Sequence, residues 1–437
     1  MKALPIDPAP RSYPEHVLLC DRSQRGAACA PAQQTTDEVR QWLLHEAIHA
    51  DNLMLLYEEY LWRCRAAGLP IDRSSLHVGT LHPQMVGLAW NWKADDAVCD
   101  EVAAFAGALS QDAFTKNPLY KVLVDGETVP LNLENREEAD AYPLMQELAA
   151  EGYTAYTAFP LSSSGKRFNG ITFATKHPGG YPEDKVAVSL ELVNLFALHI
   201  EKHIVQRIAR NVADTYLGPL AGRRVLEGEI RRGDGEAINA IVFVADIRDF
   251  TGLADRLSGP ELTAVLNAYF ERLSSAIENH GGEILKFIGD GVLAVFQQGE
   301  AAASQAALAA AEDALQAIDD LNRAPDGDLP DPRAWQPLKI GIGLHKGDVF
   351  FGNVGGADRL DFTVIGRAVN EAARVETLCK TLSRNLLLAD PVVQDLPETD
   401  RERLELMGHY DLRGVAQPVA IYSPRADGAV LPNPAET

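Results

Sequence analysis

Two apolar runs, Glu283–Ile288 and Val292–Phe296, are separated only by Gly289-Asp290-Gly291. A gap that short between strand-length runs leaves room for little but a tight antiparallel hairpin. Upstream, Ile241–Ala245 is a continuous apolar run of buried-strand length. Gly259–His280 then repeats apolar residues at helical spacing and stops at Gly281-Gly282. Downstream, the sequence predicts an Ala-rich helix from about 301 to 322 and a Pro/Asp loop through Pro337. Leu338–Leu344 and Val349–Val354 read as a second hairpin, and Gly366–Leu382 as a further helix.

The order strand-helix-strand-strand-helix-strand predicts a ferredoxin-like (βαββαβ) domain over 237–425. The region before it is organised differently. Residues 1–35, rich in Pro, Ala, Gln and Arg without periodicity, read as a flexible tail. A domain is expected over 36–210, opening with a capped helix at Thr35-Thr36-Asp37-Glu38 that runs on to Ala67. Ser75–Thr80 and Met85–Lys93 read as paired strands, Lys121–Val124 as another, and Tyr142–Ala150 as a helix. Thr154–Leu161 and Gly170–Thr175 form a hairpin around Ser162–Lys166. A helix from about Pro182 to Asp214 carries Leu190, Val193, Ala197, Ile200 and Ile204 at alternating steps of three and four. That is either a short coiled-coil seam or a stripe packed on its own domain. Residues 211–236 read as a helical, then polar, linker and 426–437 as a tail, so the chain is α+β with an N-terminal α/β domain.

Lys plus Arg number 40 against 62 Asp plus Glu, a formal charge of −22. Such a chain is a poor partner for nucleic acid or anionic lipid, although a local basic pocket for phosphates remains open. No apolar run approaches the roughly 20 residues that span a bilayer. The first residues, interrupted by Pro5 and Pro8, lack the apolar core of a secretion signal. Five cysteines form no CxxC pair and read as reduced thiols, so a soluble cytoplasmic protein is expected.

Asp246 closes the apolar run Ile241–Ala245, and Asp290 sits at the tip of the first hairpin. In a ferredoxin-like sheet these places can be neighbours, and two hard carboxylates together suit a divalent cation with phosphate oxygens. Taken singly, each has a plainer reading as a helix cap or turn residue. Asn370 and Arg374 share one face of the predicted Gly366–Leu382 helix. Arg374 can meet phosphate charge with its planar donor fork, or simply pair with a nearby Glu.

Three stretches carry a resemblance: Phe243–Thr251, Lys286–Gly291 and Thr363–Arg374, with Gly341–Gly347 between them. In residues, order and separation they resemble class III nucleotidyl cyclases, over roughly 237–423. The resemblance implies a head-to-tail homodimer in which each site takes its metals from one subunit and Asn/Arg from the other. Asp246 and Asp290 match the metal-binding aspartates, with the Ile247 carbonyl as a further ligand, for two Mg²⁺ or Mn²⁺ ions per site. Lys286 and Thr363 match the positions that read the purine, and Asn370 and Arg374 those that orient the ribose and stabilise the transition state. Arg413 stands near the place of a triphosphate-binding lysine. A lysine with a hydroxyl acceptor suits adenine, whereas guanine calls for a carboxylate at position 286. ATP is thus the expected substrate, and 3′,5′-cyclic AMP with pyrophosphate the products. Thr363 resembles the subclass in which some members respond to bicarbonate. Guanylate cyclase activity, or a silent regulatory dimer, are the alternatives.

The element order over 36–210 resembles a GAF-type sensor, which implies a small-molecule ligand; a dimerisation domain without ligand is the alternative. Trp90, Trp92, His77, His82 and Cys99 are candidates for its pocket, although core packing explains Trp and Cys as well. His45-Glu46-Ala47-Ile48-His49 matches HExxH, but Asn52 and Leu55 stand where an extended zinc site needs Gly and His. Two surface histidines of one helix are expected there. Gly281-Gly282-Glu283 resembles only three residues of the diguanylate cyclase signature.

Overall fold

The computed structural model describes residues 6–9, 11–105, 116–161, 169–297, 300–325, 329, 335–413, 415 and 417–425. The chain forms two compact units, Met1–Thr215 and Tyr216–Thr437.

The first unit contains, in order, β1 (Val17–Ser23), α1 (Thr36–His45), α2 (Leu53–Ala66), β2 (Arg73–Gly79), β3 (Met85–Lys93) and β4 (Val98–Phe105). It continues with β5 (Val129–Asn132), α3 (Pro143–Ala150), β6 (Ala155–Leu161), β7 (Asn169–Thr175) and α4 (Glu183–Leu217). The strands form one antiparallel sheet, β1-β4-β3-β2-β7-β6-β5. Trp42 of α1, Tyr57 and Tyr60 of α2, and Phe196 and Ile200 of α4 share a core with Leu76, Trp90 and Phe173 of the sheet. A second core joins Met145 and Leu148 of α3 to Tyr156 and Ala158. The predicted start of α1 is a full capping box: Glu38 N–H donates to Thr35 Oγ1 at 3.2 Å, and Thr35 N–H donates to Glu38 Oε2 at 2.6 Å.

Several expectations are corrected in this unit. Residues 17–23, placed in a flexible tail, form β1 on β4. Charge anchors the segment: Arg22 Nε lies 2.6 Å from Asp100 Oδ1, Arg11 Nη1 lies 3.2 Å from Oδ2, and Tyr13 donates to the same carboxylate at 2.7 Å. Lys121–Val124 is not a strand but part of a π-helical turn, Lys121–Asp125. The HExxH histidines do not share a helix, because α1 ends at His45 and Ala47–His49 is a separate 3-10 turn. The α4 stripe packs on its own unit: Val193, Ile200 and Ile204 are buried in its core. Trp92 and Cys99 are fully buried core residues, and His77 hydrogen-bonds to Ser75 Oγ at 2.9 Å. The Ser162–Lys166 turn and the 426–437 tail lie outside the described residues.

In the second unit, α5 (Pro219–Leu226) precedes β8 (Gly235–Ile247), so the expected polar linker at 211–236 instead holds the end of α4, α5 and the start of β8. Then come α6 (Gly259–Asn279), β9 (Glu283–Ile288), β10 (Gly291–Phe296), α7 (Glu300–Arg323), β11 (Ile340–Gly355), β12 (Leu360–Ile365) and α8 (Arg367–Thr381). Strands β13 (Leu386–Ala389), β14 (Leu404–Tyr410) and β15 (Val419–Pro424) complete the sheet, ordered β14-β15-β13-β11-β8-β10-β9, with β12 on β11. Its centre, β11-β8-β10-β9, is antiparallel throughout and realises the expected βαββαβ core. The expected hairpin at 338–354 is instead the single strand β11, paired with β8 from Ile340↔Ile247 to Gly352↔Gly235.

The apolar run in β8 is explained by burial on both faces. Ile241, Phe243, Ala245 and Ile247 pack with α6 and α7 residues, whereas Ala240, Val242 and Val244 face a second core with Ala368 and Ala372 of α8. Glycines let α8 lie flat on β11. A Cβ on Gly343 would meet Glu376 N at 2.4 Å and Ala372 O at 2.7 Å. Among the described residues, no helix is long and apolar enough to cross a membrane.

Candidate active site

The β8–β10 ladder pairs Ala245 with Val292, which brings the end of β8 alongside the β9–β10 loop. That loop is two residues long, Gly289-Asp290, with Gly289 in the left-handed region at φ 65°. The Asp246 and Asp290 carboxyls therefore meet, as the sequence reading anticipated. Burial, then the hydrogen bond and charge of Asp290, push the Asp246 carboxyl up to about 7. Asp246 Oδ1 also accepts from the Ile247 N–H at 3.0 Å. Among the described residues no Lys or Arg forms an ion pair with either aspartate.

Three further residues surround this pair, and the sequence reading missed them. Glu376 of α8 is buried and lies 3.3 Å from Arg248 Nη1, an ion pair outside hydrogen-bond geometry. Burial pushes the Glu376 carboxyl up and Asp290 adds to that, while Arg248 opposes it. Tyr269 of α6 is fully buried, and its hydroxyl has no hydrogen-bond partner among the described residues. Burial and then the charges of Asp246, Asp290 and Glu376 hold it neutral well above its ordinary range. Gly341 allows the Arg248–Glu376 contact, since a Cβ there would overlap the guanidinium. The available signals were small: an Arg two residues after Asp246, and a Glu two residues after Arg374.

Lys286 of β9 forms an ion pair with Asp361 of β12, Nζ to Oδ2 at 2.9 Å. Thr363, two residues further along β12, is buried. The structure thus brings Lys286 to the strand that carries Thr363, through an acid the sequence reading did not name. Asn370 and Arg374 lie on α8, one turn apart. Asn370 Nδ2 donates to the Gly366 carbonyl at 3.4 Å, and Arg374 has no ion-pair or hydrogen-bond partner among the described residues. Arg413 is exposed in the turn after β14. Within one chain, then, the aspartates are assembled, Lys286 pairs with an acid two residues from Thr363, and among the described residues Asn370, Arg374 and Arg413 form no hydrogen bond or ion pair with either group.

Residues 236–422 match the family model of the adenylate and guanylate cyclase catalytic domain. The second unit therefore matches the adenylate and guanylate cyclase catalytic domain over nearly its whole sheet. An adenylate cyclase of Anabaena cylindrica is 30% identical over 226 residues, covering 52% of this chain and 44% of that one. The chain spans less than half the length of the curated relatives it matches. Among solved structures, the adenylyl cyclase CyaB from P. aeruginosa is 28% identical, covers 44% of this chain and 96% of its own, and has a TM-score of 0.37. The guanylyl cyclase Cya2 is 27% identical, with 44% and 93% coverage and a TM-score of 0.38.

Proposed function

We propose that the protein is a homodimeric adenylate cyclase that converts ATP to 3′,5′-cyclic AMP and pyrophosphate, under control of its N-terminal unit. The observation that carries this is the Asp246–Asp290 pair, two carboxyls brought together at a strand end with no Lys or Arg ion pair to either among the described residues. Such a pair fits divalent metal: the donors are hard oxygens, and their mutual repulsion is relieved by a cation. Among the described residues no cluster of three His, Cys, Asp or Glu forms a complete metal cage. That leaves positions for the Ile247 carbonyl and for phosphate oxygens. When bound, two Mg²⁺ or Mn²⁺ ions would supply Lewis-acid activation of the ribose 3′-hydroxyl and neutralise the triphosphate.

The chain's own groups do the rest. Lys286 donates to adenine N1, and the Thr363 hydroxyl accepts from the 6-amino group. Asp361 holds the Lys286 ammonium on the sheet edge before the base arrives. Arg374 lowers the barrier electrostatically as charge builds on the α-phosphate and leaving oxygen, and Asn370 fixes the ribose. Arg413 binds the triphosphate. Among the described residues Asn370 and Arg374 bond to neither aspartate, which supports a partner subunit completing each site. Phe287, Ile288 and Ile365, all exposed beside the site, support such an interface. Leu198, Val205 and Val212, exposed at seven-residue spacing on α4, support a second contact between copies.

The GAF-like reading of the first unit rests on its single sheet with helices packed against it. The bicarbonate response rests on Thr363 alone, and constant turnover across a bicarbonate titration at fixed pH would remove it. The deciding experiment is turnover of ATP and GTP with Mg²⁺ or Mn²⁺, alongside Asp246→Ala. Cyclic AMP that disappears in the variant is the expected result. Cyclic GMP as the main product would refute the base assignment, and product from the variant would refute the metal site.

A further inference from the structure

A cleft of about 420 Å³ opens within the first unit, where the later turns of α4 cross the end of β2 and the middle of β3 and β4 beside the start of α2. That volume lies in the range of small-molecule sites, roughly 300–1,000 Å³. Its apolar wall is formed by Leu53, Val78, Leu88, Trp90 and Ile204. The polar wall is organised. Glu101 accepts from Trp90 Nε1 at 2.9 Å and from Arg207 Nη1 at 2.8 Å, which fixes the indole and neutralises Arg207. Asn211 Nδ2 donates to Thr80 Oγ1 at 3.1 Å. Arg210, one turn from Arg207, has no ion-pair or hydrogen-bond partner among the described residues. His203 also lines the cleft, is nine-tenths buried, and its Nε2 has no partner among the described residues.

We propose that this cleft binds a small organic monocarboxylate, its carboxylate on Arg210 and His203 and its aromatic or branched body against Trp90 and Leu88. An arginine fork meets a carboxylate with two parallel hydrogen bonds. A dianion fits less well, because Glu101 already satisfies Arg207 and Asp51 adds a further negative charge to the lining. A neutral ligand would leave the Arg210 guanidinium unused. The site lies on α4, the helix that runs on to Leu217. This inference deepens the proposed sensory role and rests on that reading for its biological meaning, though not for the binding itself.

Calorimetric titration of the full chain with phenylacetate, hydrocinnamate and isocaproate tests it, with phenylacetamide and phenyl phosphate as controls. At least one carboxylate is expected to bind with a Kd below about 5 mM. Phenylacetamide and the Arg210→Gln variant are each expected to weaken binding by about tenfold or more. Arg210 is exposed, so the variant should keep the wild-type Tm. No carboxylate binding below that limit, tighter binding of phenyl phosphate, or unchanged affinity in Arg210→Gln would overturn the proposal. Turnover measured on the same samples separates the two readings. A carboxylate that binds as expected yet leaves turnover unchanged upholds the site and refutes the sensory role.

Discussion

Replacing Asp290 by Asn should stabilise the metal-free protein at alkaline pH. Burial and Asp290 together push the Asp246 carboxyl from its ordinary 3.8 to about 7. A shift of that size is worth about 4 kcal/mol at full strength. Asp246 is only half-buried, so solvent screening reduces the expected effect to about 1–2 kcal/mol. The sign follows from proton counting. Between about pH 4 and pH 7 the native state holds a proton that the unfolded chain has released, so stability falls as pH rises through that window. Above pH 7 the Asp246 proton is lost in both states and the penalty is complete. Asp290→Asn removes the like charge, so the penalty shrinks and the pH dependence flattens. For a unit of this size the gain corresponds to about 3–6 °C in Tm. The assay is thermal unfolding of wild type and variant in chelator, followed by far-ultraviolet circular dichroism at pH 5 and pH 8. The variant should melt higher at pH 8, with little difference at pH 5, and Mg²⁺ should raise the Tm of wild type more than that of the variant. Curves that stay parallel between the two pH values, or a variant less stable at pH 8, would refute the repulsion argument.

Three other outcomes follow from the same geometry. Mixing inactive Asp246→Ala with inactive Arg374→Ala should restore about a quarter of the wild-type rate, because random pairing leaves one intact site in each mixed dimer. No recovery after subunit exchange would contradict the shared site. Lys286→Glu combined with Asp361→Asn, which avoids a new like-charge contact, should lower the ATP:GTP ratio of kcat/KM by about a hundredfold. An unchanged ratio would remove Lys286 from base recognition. Asp100→Ala should destabilise the first unit by about 3–5 kcal/mol, since it leaves Arg11 and Arg22 without their buried partner. A loss below about 1 kcal/mol by denaturant unfolding would show that β1 is held by its ladder alone.

What the sequence disclosed, and what it did not, divides by range of interaction. The β9–β10 hairpin, the cap of α1 and the placement of Asp246 after an apolar strand were legible because each is written in neighbouring residues. Long-range contacts were not. Arg248–Glu376 and Lys286–Asp361 join common residue types across 128 and 75 positions, with no local signature. Lys346-Gly347-Asp348 has the composition of a turn, yet β8 pairs straight through it, Lys346↔Ile241 to Asp348↔Asn239. The ladder to a long partner strand outweighs turn propensity there. The same partner explains the misread linker, because β8 begins at Gly235 only where β11 is long enough to pair with it. In β1, the anchor is a carboxylate 78 residues away from Arg22, which no periodicity inside 1–35 can reveal.

The second core of the cyclase unit links these observations to function. Glycines at 341 and 343 bring α8 against β11, and the close approach places Glu376 beside Asp246 and Asp290 while Asn370 and Arg374 remain outside. The charge of Glu376 adds to the repulsion felt by Asp246, and Arg248 opposes the rise of the Glu376 carboxyl. In the proposed metal role, a bound cation would relieve that repulsion. That step would not involve Arg374, which has no ion-pair or hydrogen-bond partner among the described residues. Under the proposed mechanism, metal capture and transition-state stabilisation are therefore separable. The first is a property of one chain, and the second depends on how two chains meet. A regulatory signal that alters the meeting of two chains can then change kcat while leaving metal affinity untouched.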